Sequence, residues 1–253
     1  MTQLSFSSVI IRGSALHGQN PIELHLRASP AFPACAAAYY EHDRHPVPDS
    51  WAARDVSGAE GTLELNLANR ISEGRIGVTY TAQVVSAFVG GADVSTSLPA
   101  ELCLKFAKVQ YGRSLAREAW FYEQLSSCQG IAVARCFGFF SSTFAEQKES
   151  VDTVIPWMDL KHLYKPPIPH WMPVPSADYL PDDDPDDDKF HDRRGFKYDS
   201  VWNFWNPSES DPTVAVLLLE KLGESCNKHW KIFTWPREGL RCVFLLGPIL
   251  SCG

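Results

Sequence analysis

From Thr62 the chain alternates apolar and polar residues: in TLELNLANRI, Leu63, Leu65 and Leu67 recur with period two, as in a half-buried strand. Three further segments, VTYTAQVVSAFV, AELCLKFAKV and VARCFGFFSS, read as strands, with Gly90 and Gly91 forming a turn between the first two. Between the second and third lies SLAREAWFYEQLSS, a predicted helix that Ser114 can cap at its start. Patterning returns at TVAVLLLEKLGE, whose continuous apolar run predicts a strand covered on both faces. Residues 1–61 offer only two strand-like pieces, LSFSSVIIRG and IELHLRA, followed by the turn-rich RHPVPDSWAARDVSGAEG. They are expected to form an appendage whose fold the pattern does not assign.

Residues 141–212 break this pattern. They hold ten of the 18 prolines, four of the eight tryptophans, and fifteen Asp and Glu against seven Lys and Arg. That composition predicts a long, disordered, acidic insertion able to recruit a basic protein partner. The formal charge of −7 is concentrated here, and no basic stripe exists elsewhere to neutralise a nucleic-acid backbone. Seven cysteines without a Cys-x-x-Cys pair fit reduced thiols and an intracellular, cytoplasmic protein. The start MTQLSFSSVII lacks a basic region before a long apolar core, and CVFLLGPIL is too short to span a bilayer, so no membrane association is expected.

Two charged residues fall where apolar ones belong. In AELCLKFAK, strand alternation sets Lys105 on one face with Cys103 and Ala107. In the helix, Leu115, Glu118, Tyr122 and Leu125 share one stripe, so Glu118 points inward. A buried carboxylate needs a partner, and an ammonium on a facing strand would supply it. Each has a plainer reading: Lys105 as a lysine reaching out from a strand edge, Glu118 as a surface charge. Upstream, ISEGRIGVTY sets Gly74 and Gly77 three residues apart between strand-like segments. That pair reads either as a hairpin turn or as a flap whose backbone approaches a phosphate.

In this order, SEGRIGVTY, LCLK, REAWFYEQL and LLLEKLGE resemble the small lobe of the protein-kinase family, fungal protein-kinase-like domains included. The resemblance implies an α+β fold, a five-stranded antiparallel sheet plus one helix, formed by residues 62–140 and 213–224. It implies ATP as ligand, with magnesium accompanying the nucleotide. Gly74 and Gly77 align with the second and third glycines of the family's loop, and Lys105 with its phosphate-binding lysine. Glu118 aligns with the ion-pair glutamate and Leu219 with the gatekeeper, while Glu220 to Leu222 would offer backbone groups to adenine. Departures weaken the expected binding: Ser72 replaces the first glycine, Thr79 a valine over adenine, and Cys103 the alanine of the adenine roof. No His-Arg-Asp or Asp-Phe-Gly sequence follows the hinge, so catalytic residues and metal ligands are not assigned and the chain is expected not to catalyse. The atypical tail, residues 225–253, is what a shortened or misread gene would leave.

Other constellations carry less. EHDRH, with His42 and His45, reads as a solvated cluster before it reads as a metal site. The run Asp182 to Asp188 lacks the glycine and terminal glutamate of a calcium loop, and no Gly-x-Ser-x-Gly appears. The alternative to a nucleotide-binding lobe is a non-enzymatic interaction module acting through its acidic insertion.

Overall fold

A computed structural model describes residues 6–34, 51–158, 160, 180, 200–203 and 205–223. Its strands are β1 (Ser8–His17), β2 (Asn20–Ala28), β3 (Gly61–Glu73), β4 (Gly77–Val89), β5 (Ala92–Asp93), β6 (Glu101–Ala107), β7 (Cys136–Thr143), β8 (Thr153–Val154) and β9 (Thr213–Glu220), with one α-helix, α1 (Gly112–Gln124). Seven of the strands follow one another as β2-β7-β9-β6-β4-β3-β1, and β1 pairs back onto β2, closing a barrel. The two-residue strands β5 and β8 extend β4 and β1.

Alternation explains the interior. Leu63 and Leu65 of β3, Val78, Tyr80 and Ala82 of β4, Leu102, Leu104 and Phe106 of β6, and Val214, Val216 and Leu218 of β9 all point into the barrel. Val9, Ile11, Leu24 and Leu26 complete the filling from β1 and β2. Burying each such side chain contributes about 1.5–3 kcal/mol. The opposite parity of β6, β7 and β9 faces α1: Ala107, Phe139, Ala215, Leu217 and Leu219 pack against Leu115, Ala116, Ala119 and Trp120. β9 is therefore buried on both faces, which accounts for its unbroken apolar sequence.

The five-stranded sheet with one helix expected by resemblance to protein kinases is overturned. The sheet does not end at β3: residues left as an appendage supply β1 and β2, and these close it. β1 runs parallel to β3, from Ser8 opposite Thr62 to Arg12 opposite Asn66, and β2 reaches β7 through Arg27 opposite Ser141 and Ala28 opposite Phe140. Closure removes the exposed edges that an open sheet would leave. Gly13, at φ +68°, marks a register shift between Ile11 and Ala15 that lets β1 bend round the barrel.

One further expectation is corrected. The helix starts at Gly112, with Tyr111 at its N-cap and no side chain capping it, so Ser114 lies inside the first turn and is buried. The described parts of residues 141–212 are packed against the barrel and helix. Trp202 is 2% exposed, donates from Nε1 to the Pro30 carbonyl at 2.8 Å and packs on Phe139 and Trp205. Trp157 stacks on Phe144 and donates to the Ala107 carbonyl at 2.8 Å. These aromatic rings bury more apolar surface than their polar neighbours can offset, which anchors the segments around them. The helix's outer side is covered in the same way: Arg113 and Arg117 sit over the Phe32 ring and donate to the carbonyls of Trp202 and Phe32. The EHDRH cluster, the run Asp182–Asp188 and the tail 225–253 lie outside the described residues.

Candidate functional site

β6 lies between β4 and β9, and strand parity decides which of its side chains meets the helix. Lys105 is opposite Thr79 on one side and Leu217 on the other, while Cys103 is opposite Thr81 and Leu219. Paired residues share a face. Thr79, Cys103, Lys105 and Leu219 therefore lie together on the outer wall, under α1, and Cys136 of β7 extends the same row beyond Leu219. Glu118 descends from the helix one turn after Leu115. Lys105 Nζ donates to both of its carboxylate oxygens, at 2.8 Å and 2.6 Å. The two side chains are 25% and 27% exposed, so the ammonium is fixed in place yet reachable from solvent.

The wall beside the pair is apolar and uncharged. Burial pushes the Cys103 thiol above its usual value, against the opposing influence of the Lys105 ammonium. Burial also drives the Cys136 thiol and the Tyr122 hydroxyl up to about 12, with the nearby Glu118 charge adding to the effect on Tyr122. None of these groups is an activated nucleophile at neutral pH.

Ser72 and Thr79 are opposite each other at the end of the β3–β4 hairpin, whose tip is Gly74, Arg75 and Ile76. Neither Gly74 nor Gly77 adopts a positive φ. The need for glycine at 77 is steric and lies within the barrel: a Cβ there would sit 2.3 Å from the Phe106 carbonyl oxygen, where β4 crosses β6. At Gly74 the nearest atom would be 3.9 Å away, and this exposed residue leaves the tip's outer side open to a ligand. Three residues that the sequence did not single out secure the tip. Lys108, just after β6, donates from its backbone to the Ile76 carbonyl at 2.9 Å and from Nζ to Glu73 Oε1 at 2.7 Å. Arg70 holds the other oxygen of Glu73. The Lys108 hydrogen bond keeps the Glu73 carboxyl below the usual range.

The expected hinge is only partly as drawn. Leu219 is buried against the helix, but the Glu220 amide already donates to the Arg135 carbonyl at 2.8 Å. Leu222 is exposed, and Lys221 turns to Glu101. An ammonium with solvent access fits a phosphate group of ATP. Of the two carboxylates beside this ammonium and the hairpin tip, Glu118 is held by Lys105 and Glu73 by Lys108 and Arg70.

A separate cleft, lined by Phe6, Arg54, Glu123, Cys136, Phe137 and Phe139 among others, opens beside the last turn of α1 and contains neither Lys105 nor Glu118. Its one carboxylate, Glu123, is raised by burial even though the Arg54 amide donates to it at 2.9 Å. The cleft is lined mainly by aromatic and small apolar residues, with Arg54 and Glu123 as its charged members, whereas the Lys105 ammonium is held in place by two contacts to one carboxylate. Among the described residues no helix is long and apolar enough to cross a membrane. No protein-family model, curated protein or solved structure matches the chain.

Proposed function

We propose that the chain binds ATP, with its phosphates against Lys105, and that these 253 residues on their own do not transfer phosphate. The observation that carries this reading is the two-armed contact between Lys105 and Glu118 at a partly exposed position. The pair meets Glu118's need for a cation, and it also holds the Lys105 ammonium in the fixed position that a phosphate-binding lysine requires. Thr79, Cys103 and Leu219 on the same wall supply an apolar bed for the base, and the open side of Gly74 lets phosphate approach the hairpin backbone. The reading keeps the protein-kinase resemblance of the motifs as its source while leaving the fold as the barrel described above. An intracellular setting is proposed on the seven scattered cysteines, three of which, Cys103, Cys128 and Cys136, are unbridged among the described residues.

With one ammonium and a few amides engaged, affinity is expected near the millimolar range, about −4 kcal/mol. Titration with a fluorescent ATP analogue, competed by ATP, tests this. Binding should be lost in Lys105→Met and weakened in Glu118→Gln. If ATP binds neither wild type nor variant while a basic peptide binds wild type, the interaction-module reading replaces this one.

A further inference from the structure

We propose that the Glu73–Lys108 ion pair is a latch that holds the β3–β4 hairpin shut against the end of β6 and limits entry of ligand to Lys105; the entry half rests on the nucleotide reading above. The latch itself stands on geometry alone. Lys108 is the least exposed ammonium in any described ion pair, its side chain 6% exposed, and its partner Glu73 is 14% exposed. Sequestering an ammonium is costly unless its charge is met, and here the carboxylate meets it at 2.7 Å with Arg70 completing the network. The same residue binds the hairpin twice, since its amide donates to Ile76 as its side chain binds Glu73. Arg75, at the tip, lies over the ring of Tyr111, the N-cap residue of α1.

The short junction from Ala107 to Tyr111 thus gathers the hairpin tip, the end of β6 and the start of the helix that carries Glu118. Ala107 is opposite Gly77, and the Tyr111 amide donates to the Lys108 carbonyl at 2.8 Å. From Gly77 onward β4 is zipped to β6, with Thr79 opposite Lys105, so the part free to move is the tip, Gly74 to Ile76, whose Gly74 and Arg75 are exposed. Releasing Glu73 from Lys108 would leave the Gly74 amide's bond to the Gly77 carbonyl, the Ile76 hydrogen bond and the Arg75 contact to hold that tip, and it could loosen beside the wall on which Lys105 stands.

Amide hydrogen exchange on the full chain reads the latch without any ligand. In Glu73→Gln, exchange at the Gly74 and Lys108 amides should accelerate tenfold or more, with the barrel amide of Leu104 unchanged. Lys108→Met serves as a second variant, accepted only if its far-ultraviolet dichroism and melting remain cooperative. Stopped-flow mixing with the fluorescent ATP analogue should then show association several-fold faster in Glu73→Gln. Unchanged exchange at both amides overturns the latch. Faster exchange with unchanged association, where wild type does bind, overturns its role in entry. Faster exchange with no binding to any form overturns the nucleotide reading and leaves the latch standing.

Discussion

Adding one methyl group at Gly77 sets a carbon atom 2.3 Å from the carbonyl oxygen of Phe106, when such atoms essentially never approach within 3.0 Å. The obstacle is backbone at the last rung joining two barrel strands and cannot swing aside like a side chain. Relief requires β4 and β6 to separate by at least 0.7 Å at the rung joining Gly77 to Ala107. That rung adjoins the Ile76 to Lys108 hydrogen bond and the Trp157 bond to Ala107, so both lengthen with it. Overpacking of this kind costs about 1–3 kcal/mol. Gly74→Ala is the control: the new carbon meets nothing nearer than 3.9 Å, and φ is not positive there. Its unfolded state loses freedom, so the control should be unchanged or stabilised by about 0.4–1 kcal/mol. Urea denaturation followed by tryptophan fluorescence reads both. A Gly77→Ala protein within 0.5 kcal/mol of wild type, or a Gly74→Ala protein equally destabilised, would refute the claim that one glycine serves the barrel and the other only the tip.

Trp202→Ala should destabilise by about 3–5 kcal/mol, because the ring is buried against Phe139 and Trp205; thermal melting checks it. Lys105→Met should change stability by less than about 1 kcal/mol, as the pair is partly exposed, while abolishing ATP binding; melting and titration separate the two effects. Glu123 has a folded-state pKa above its unfolded one, so its favourable contribution is present below the unfolded value and is lost as pH rises through the folded value. Glu123→Gln should therefore be more stable than wild type at neutral pH, with the advantage vanishing in acid, as paired melts across pH would record. Glu73 is the opposite case: its lowered pKa stabilises above the ordinary carboxylate range and is lost as pH falls through the folded value, so Glu73→Gln should flatten the acid limb of the stability curve.

Much of the barrel wall was legible because period-two alternation names the inward residues of β3, β4 and β6 directly, and the unbroken run in β9 announces two covered faces. The same parity set Lys105 and Glu118 on facing surfaces, and their contact follows from it. Closure was not legible. VIIRG reads as a strand, but its parallel pairing to β3 depends on a connection of more than forty residues, and local patterning carries no information about partners so distant. The helix start was misread because serine is a favoured cap, yet here Gly112 and Arg113 continue the helix and Arg113 gains a bond to Trp202. Composition averaged over residues 141–212 is dominated by prolines and acids and does not reveal which of the described parts pack, which Trp157, Trp202 and Trp205 decide. Glu73 and Lys108 gave only a faint signal, opposite charges at a hairpin tip and just past a neighbouring strand, since neither interrupts an apolar stripe.

The most direct test of the nucleotide site is a melting series of the full chain in rising ATP, run beside Lys105→Met. A Kd near the millimolar range should raise wild-type stability by about 1 kcal/mol at several times that concentration, with no rise in the variant. An equal rise in both proteins, or none in wild type, would contradict phosphate binding at Lys105.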